Sequence, residues 1–335
     1  MKNNLKFPGL TIGTEFYDKI EKITQNFGKR AIIIANEEAM NTIGEKLLSI
    51  QYNNDIKIKN YIINDNKTTF KNVVKLLTNP KIQKAEMIFA LGGGSTLDTS
   101  KIVADKLNMP IFTFPTLPTA PQATTAMSVV YNDDMTFDKY YYLKKAPEHI
   151  FIDLDILKKV DDKYLKQGII YAIFKDRWLN LQKDNYKKNA STNMANAISS
   201  SMIESIFENK YYFENRDEKA FKDIIFSIIV SCGYVKNLMI YENVLNISLF
   251  DCLLKDISID RDMLFYAPLF LSIMISKKID REDKLNDLFE FYNSIGLDQF
   301  IIDDKKILLK DLFNLIDDNL EYKDMDSKLK DLFNL

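Results

Sequence analysis

With 335 residues, 46% of them apolar and 27% charged, the chain is long enough for two hydrophobic cores and is neither a disordered nor a fibrous sequence. Its 45 basic and 47 acidic residues nearly cancel, so the one-signed surface of a nucleic-acid binder is excluded and no DNA or RNA partner is expected. Two cysteines without metal or redox spacing, Cys232 and Cys252, and a start without an apolar leader point to a reducing, cytoplasmic setting.

Arg30 opens the apolar run Ala31 to Ala35, which reads as a first parallel strand buried on both faces. Glu37 to Ile50 has helical spacing, Ile56 to Ile63 alternates as a strand, and Thr68 to Leu77 is again helical. The strand Met87 to Leu91 runs into Gly92, Gly93 and Gly94, after which Ser95 is expected to cap a helix reaching Lys106. A strand at Ile111 to Phe114 follows. Ser128 to Tyr131 and Phe137 to Leu143 then flank a polar turn as a hairpin, and Ile150 to Leu154 is the last strand. Strands alternating with helices predict an α/β, doubly wound parallel-sheet domain over residues 1–156.

From about Asp155 onward helical periodicity takes over, and an all-helical second domain is expected over residues 157–335. Met263 to Ile275, the longest nearly unbroken apolar run, is too short for a membrane span and reads as a buried helix, so no membrane partner is expected. The repeated hexapeptide KDLFNL at 310–315 and 330–335 has no period upstream and reads as two similar amphipathic helices.

Three glycines between a buried strand and a helix let backbone approach a ligand closely, and the helix start offers partial positive charge to a phosphate. A sharp strand-to-helix turn would leave the same letters. The flanking residues carry more: Gly92 to Lys101 reads GGGSTLDTSK and Pro115 to Tyr131 reads PTLPTAPQATTAMSVVY, with Pro147, Ile150, Asp153, Asp155 and Ile156 further on. This resembles the glycerol dehydrogenase branch of the iron-containing alcohol dehydrogenase superfamily, with its GGG[KS]xLDxAK, PT and TSALSVIY segments, across Phe7 to Ile156.

The resemblance implies a Rossmann-like cofactor domain joined to a helical domain, and NAD or NADP as cofactor. It puts the pyrophosphate on Gly92, Gly93, Gly94 and Ser95, and turns Asp98, Lys101, Thr116, Ser128 and Tyr131 toward the cofactor. Asp98 and Lys101, three apart on a helix, also suit a plain surface ion pair. The family often has Asp at the end of the first strand for the adenosine ribose. Here Asn36 stands there, and the following Glu37 and Glu38 favour NAD over a 2′-phosphorylated dinucleotide. A homodimer or larger ring is implied as well.

The same resemblance implies a Zn²⁺ or Fe²⁺ held by one Asp and two His of the helical domain, and here the sequence departs. It has a single histidine, His149, which reads as a surface residue beside the last strand. The GxxDA segment becomes GIIYA at 168–172, with Tyr171 in the ligand's place. The first histidine falls near Asn243 and Asn246, the second near Asp260, and the polyol-binding Asp of PTxxxxD is Pro121. Asparagine is a poor zinc ligand, so no tightly bound transition metal is expected.

Without a metal another group must take the substrate proton. Tyr171 and Lys175, four apart on one helical face, form a phenol and ammonium pair suited to general-base work. Tyr140 with Lys144 and Tyr141 with Lys145 repeat that spacing in a strand, so composition alone generates such pairs. Two readings stay open: an NAD(P)-dependent oxidoreductase of a small alcohol or carbonyl, and a catalytically silent relative that binds a nucleotide or a partner. A dehydroquinate synthase-like cyclase ranks last, since it too needs metal-binding histidines.

Overall fold

The computed structural model describes residues 5–52, 54–65, 67–119, 121–182, 188–242, 261–279, 282–302 and 305–308. By compactness the chain divides into one unit of Met1–Leu165 with Gly233–Asn243 and another of Lys166–Cys232 with Val244–Leu335, against an expected single cut after residue 156.

The first unit is built on six parallel strands: β1 (Gly9–Gly13), β2 (Arg30–Ala35), β3 (Lys57–Ile63), β4 (Met87–Gly92), β5 (Ile111–Pro115) and β8 (His149–Asp153). Their order across the sheet is β1-β8-β5-β4-β2-β3. Strands β2, β4 and β5 are buried almost throughout, which is why they read as unbroken apolar runs. One face carries an aromatic core in which Phe114 stacks on Phe151 with ring centroids 4.9 Å apart and Phe89 meets Phe112 edge-on at 5.7 Å. The hairpin of β6 (Met127–Tyr131) and β7 (Phe137–Tyr142) forms a separate antiparallel pair, as expected.

The sheet starts one strand earlier than the apolar pattern indicates, at β1, whose five residues are only half-buried and which pairs with β8 some 140 positions later, from Gly9 opposite His149 to Gly13 opposite Asp153.

The second unit is helical, with helices Ala190–Glu208, Arg261–Ile279 and Glu282–Ser294. A capping box between Asn189 and Thr192 starts the first of them, and Phe207 stacks on Phe291 at 4.2 Å. One short antiparallel hairpin, β9 (Gln299–Ile302) with β10 (Lys305–Leu308), adds to the helices expected there. The run at 268–276 is buried, as its apolar character requires. Glu218–Tyr241 is long and apolar enough to cross a membrane, but 78% of its most apolar window lies inside the protein, as in a core helix. The two KDLFNL segments and Cys252 lie outside the described residues.

Candidate nucleotide site

The chain passes from β2 outward to β3, then crosses back to place β4 on the other side of β2. In an open α/β sheet such a reversal marks the usual ligand position, beyond the carboxyl ends of the strands concerned, here β2 and β4. Asn36 follows β2 there, and Gly92 ends β4.

Gly92 has φ +139°, a conformation that side chains rarely adopt, so glycine is required for the chain to leave β4 at this angle. Gly93 is extended and is the N-cap of the helix Gly94–Leu107, and no side chain caps that helix. The expectation that Ser95 caps it is therefore corrected. The backbone is already helical at Gly94, so Ser95 lies inside the first turn, where its carbonyl accepts from the Thr68 hydroxyl at 3.0 Å. Gly93, Gly94 and Ser95 are only partly buried, and the helix start is left to an outside acceptor.

The residues around this loop fix it. Thr116 donates its backbone N–H to the Gly92 carbonyl at 3.2 Å, which brings the end of β5 beside the loop. The Asn36 carboxamide oxygen accepts from the Ala39 amide at 3.0 Å, so Asn36 caps the short helical turn after β2. Glu37 and Glu38 are exposed beside it. Tyr131, half-buried, donates its backbone N–H to the Thr68 carbonyl at 2.9 Å.

Asp98 and Lys101 are ion-paired at 2.9 Å, but not on the surface: Asp98 is 3% exposed and Lys101 0%. The ammonium also donates to the Thr125 carbonyl at 3.1 Å and to the Met127 carbonyl, while Asp98 accepts from the Val129 amide at 3.1 Å. Ser128, fully buried, donates to the Asp98 carbonyl at 3.1 Å. Burial pushes the Asp98 carboxyl up and the Lys101 ammonium down, and the opposite charge of each partner resists both shifts. These three residues tie the loop's helix to β6.

Two features bear on whether a dinucleotide fits. A Cβ at Gly94 would stand 3.0 Å from the Gln122 side-chain carbon, so the loop is a cradle that side chains would fill. The Gln122 carbonyl oxygen is buried with no hydrogen-bond partner among the described residues. Both suit a polar ligand approaching along the glycines. Thr68 and Gln122 were not singled out in the sequence. Gln122 had a signal, its place one position beyond Pro121, and Thr68 had none.

Tyr171 and Lys175 lie half-buried in the helix Asp162–Leu181, with the Lys175 ammonium 5.0 Å from the Tyr171 ring centroid and 5.4 Å from that of Phe174. In β7 the matching spacing is spent differently. The Tyr141 hydroxyl donates to Asp105 at 2.8 Å, and burial with that carboxylate pushes its pKa up to about 12. Pro121 opens the turn Pro121–Ala123. Cys232 is buried, which pushes its thiol up to about 12 and keeps it a weak nucleophile.

His149 is half-buried rather than free on the surface. It lies in β8 with Nε2 2.8 Å from the Thr11 hydroxyl, and burial pulls its pKa down to about 4. An imidazole that ordinarily titrates near 6.5 thus stays neutral through the physiological range. Because the folded value is the lower one, its contribution to stability is complete above about pH 6.5 and is lost as pH falls through about 4. The single imidazole C2 proton resonance is expected to hold its neutral shift from pH 8 down to about pH 5; a midpoint near 6.5 in a proton NMR titration would contradict this burial.

The donor set does not fit the one-aspartate, two-histidine metal site that the family resemblance implies. The one histidine of the sequence is in β8. Among the described residues no three His, Cys, Asp or Glu side chains group to hold an ion. Asn243, Asn246 and Asp260 lie outside the described residues.

The family model for iron-containing alcohol dehydrogenases matches residues 8–154. Glycerol dehydrogenase 1 of Schizosaccharomyces pombe is 27% identical over 177 residues, which is 51% of this chain and 37% of that protein. Glycerol dehydrogenase of Thermotoga maritima is 26% identical over 165 residues, 49% of this chain and 44% of that protein. The matched stretch thus spans less than half the length of these curated relatives. A probable glycerol dehydrogenase from Sinorhizobium meliloti superposes with a TM-score of 0.72 at 17% identity, over 94% of this chain and 87% of that one, and so shows a shared fold. Residues 8–154 thus match the iron-containing alcohol dehydrogenases and are similar to glycerol dehydrogenases, and the chain shares the fold of a Rossmann-like parallel-sheet domain followed by a helical domain.

Proposed function

We propose that this protein binds NAD on the Gly92–Ser95 loop and acts as an oxidoreductase of a small alcohol or carbonyl compound. The observation that carries the reading is the uncapped helix start at Gly94, at the point where the sheet order reverses, reached through a glycine turn. NAD, when bound, supplies the acceptor or donor of a hydride. Gly93, Gly94 and Ser95 hold the pyrophosphate with backbone amides, Thr116 borders it, and Asp98, Lys101 and Ser128 act indirectly by locking the helix. The exposed Glu37 and Glu38 beside Asn36 disfavour a 2′-phosphate, so the cofactor is NAD rather than NADP.

For the proton, we propose Tyr171 as base at its phenol oxygen, with the Lys175 ammonium lying over its ring. The setting is cytoplasmic, and the working form is a homo-oligomer. A second reading, a silent relative that binds nucleotide without turnover, is favoured by the loss of the metal donor set.

Titration with NADH followed by fluorescence, with elemental analysis for zinc, iron and nickel, tests the first step. Micromolar to submillimolar NADH binding is expected, and none at millimolar concentration would remove the proposal. A carbonyl panel with Tyr171→Phe tests the second. A fall in kcat of at least a hundredfold is expected from losing a general base, activity untouched by the change would eliminate the phenol, and no turnover by the parent protein would leave the silent relative.

A further inference from the structure

Gln122 poses a question that the fold alone does not answer. Its side-chain carbonyl oxygen is buried and has no hydrogen-bond partner among the described residues. A carbonyl withheld from water in this way is destabilising and calls for an explanation. Its carboxamide lies against Gly94, with Cδ 3.0 Å and both Oε1 and Nε2 3.2 Å from where a Cβ on that glycine would stand.

The side chain is also held there by a pinned backbone. Thr113 on β5 donates its hydroxyl to the Ala123 carbonyl at 2.8 Å, and Thr124 donates to the Pro121 carbonyl at 2.7 Å. Asn237 donates to the Thr124 carbonyl at 2.9 Å and accepts from the Ala126 amide at 2.8 Å. A turn fastened on both sides, and opened by a proline whose φ is fixed, fits a group that must be in place before its partner arrives. The expected aspartate of this segment is the neighbouring Pro121, so Gln122 supplies the nearest polar side chain.

The sheet order gives the direction. Across the sheet the carboxyl ends run from β2 with Asn36, through β4 with the glycine loop, to β5 and the turn that carries Gln122. A dinucleotide lying with its adenosine at Asn36 and its pyrophosphate at Gly93 and Gly94 brings its second nucleoside to the β5 side.

We infer that Gln122 reads the nicotinamide-side nucleoside of the cofactor, its carboxamide turning toward the ligand so that the carbonyl accepts a hydrogen bond from a ribose hydroxyl or from the carboxamide N–H of that half. This inference rests on the proposed NAD binding. It makes Gln122 a specificity-determining residue and explains its unpartnered carbonyl as a group kept for a ligand at a cost to the free protein.

Gln122→Met tests it, because methionine fills the same length of space against Gly94 but carries no carbonyl. Affinities for NADH, ADP-ribose and ADP are measured by calorimetry beside the melting temperature of the ligand-free protein. The expected result is NADH affinity lowered about fivefold to tenfold, ADP affinity unchanged, and a melting temperature equal to or above that of the parent. A parallel loss for ADP-ribose assigns the donor to the ribose, and an unchanged ADP-ribose affinity assigns it to the carboxamide. Unchanged NADH affinity with ADP still bound overturns the inference alone, as does an equal loss for ADP and NADH, which would make Gln122 a prop of the loop. Failure of the parent protein to bind ADP or NADH overturns the inference together with the NAD reading.

Discussion

Gly93→Ala is expected to weaken NADH binding at least tenfold while shifting stability by less than about 1 kcal/mol. Gly93 has φ −81° and ψ −176°, extended backbone open to any residue, and its new Cβ would meet only Leu117 Cδ1, at 3.4 Å. Alanine is a poorer N-cap than glycine by up to about 1 kcal/mol, yet it stiffens the unfolded chain by about 0.4–1 kcal/mol, and the two nearly offset. The methyl group would stand on the backbone that the proposed pyrophosphate approaches. Gly92→Ala cannot make this separation, because φ +139° at that position adds folding strain to any loss of binding. Calorimetric titration beside urea denaturation checks the result. Parent-like NADH affinity in a folded Gly93→Ala protein would take the phosphate away from this turn.

Lys101→Met is expected to be the most destabilising single change in the first unit, at about 3–5 kcal/mol. Removing the ammonium leaves the Asp98 carboxylate 3% exposed without its counter-ion, and strips the Thr125 and Met127 carbonyls of their donor. Adding Asp98→Asn should recover a large part of the loss, since the amide is neutral and still accepts from the Val129 N–H. Urea unfolding of the single and double variants measures both. A single-variant loss below about 1 kcal/mol would mean that the pair is not buried as described.

These two side chains also show the limits of reading by letters. Asp98 and Lys101 three apart on a helix suit a surface pair, and the burial that removes that reading comes from Thr125 and the start of β6, 24 to 26 positions downstream of the lysine. The glycine loop was legible because a buried strand, three glycines and a helix are consecutive, and each is a local signal. Strand β1 was not, because GLTIG is short, half-buried and glycine at both ends, and its partner β8 is distant in the chain. The half-burial of His149 was illegible for the same reason: it comes from pairing with that distant strand, β1. The expectations for Tyr171 and Lys175 came from a motif position, and the structure adds their contact as a cation over a ring.

The segment Gly233–Asn243 groups with the first unit although some seventy residues separate it from Leu165. Besides the Asn237 contacts, the Tyr234 hydroxyl donates to the Pro8 carbonyl at 2.7 Å, near the opening of β1. During synthesis the sheet strands therefore emerge long before the piece that closes over the 124–126 backbone and the start of the chain. A fragment ended at a boundary chosen from the strands alone would carry an unmet amide at Ala126 and an open seam beside its first strand, so any excision of this half for separate study has to bring that distant helix with it.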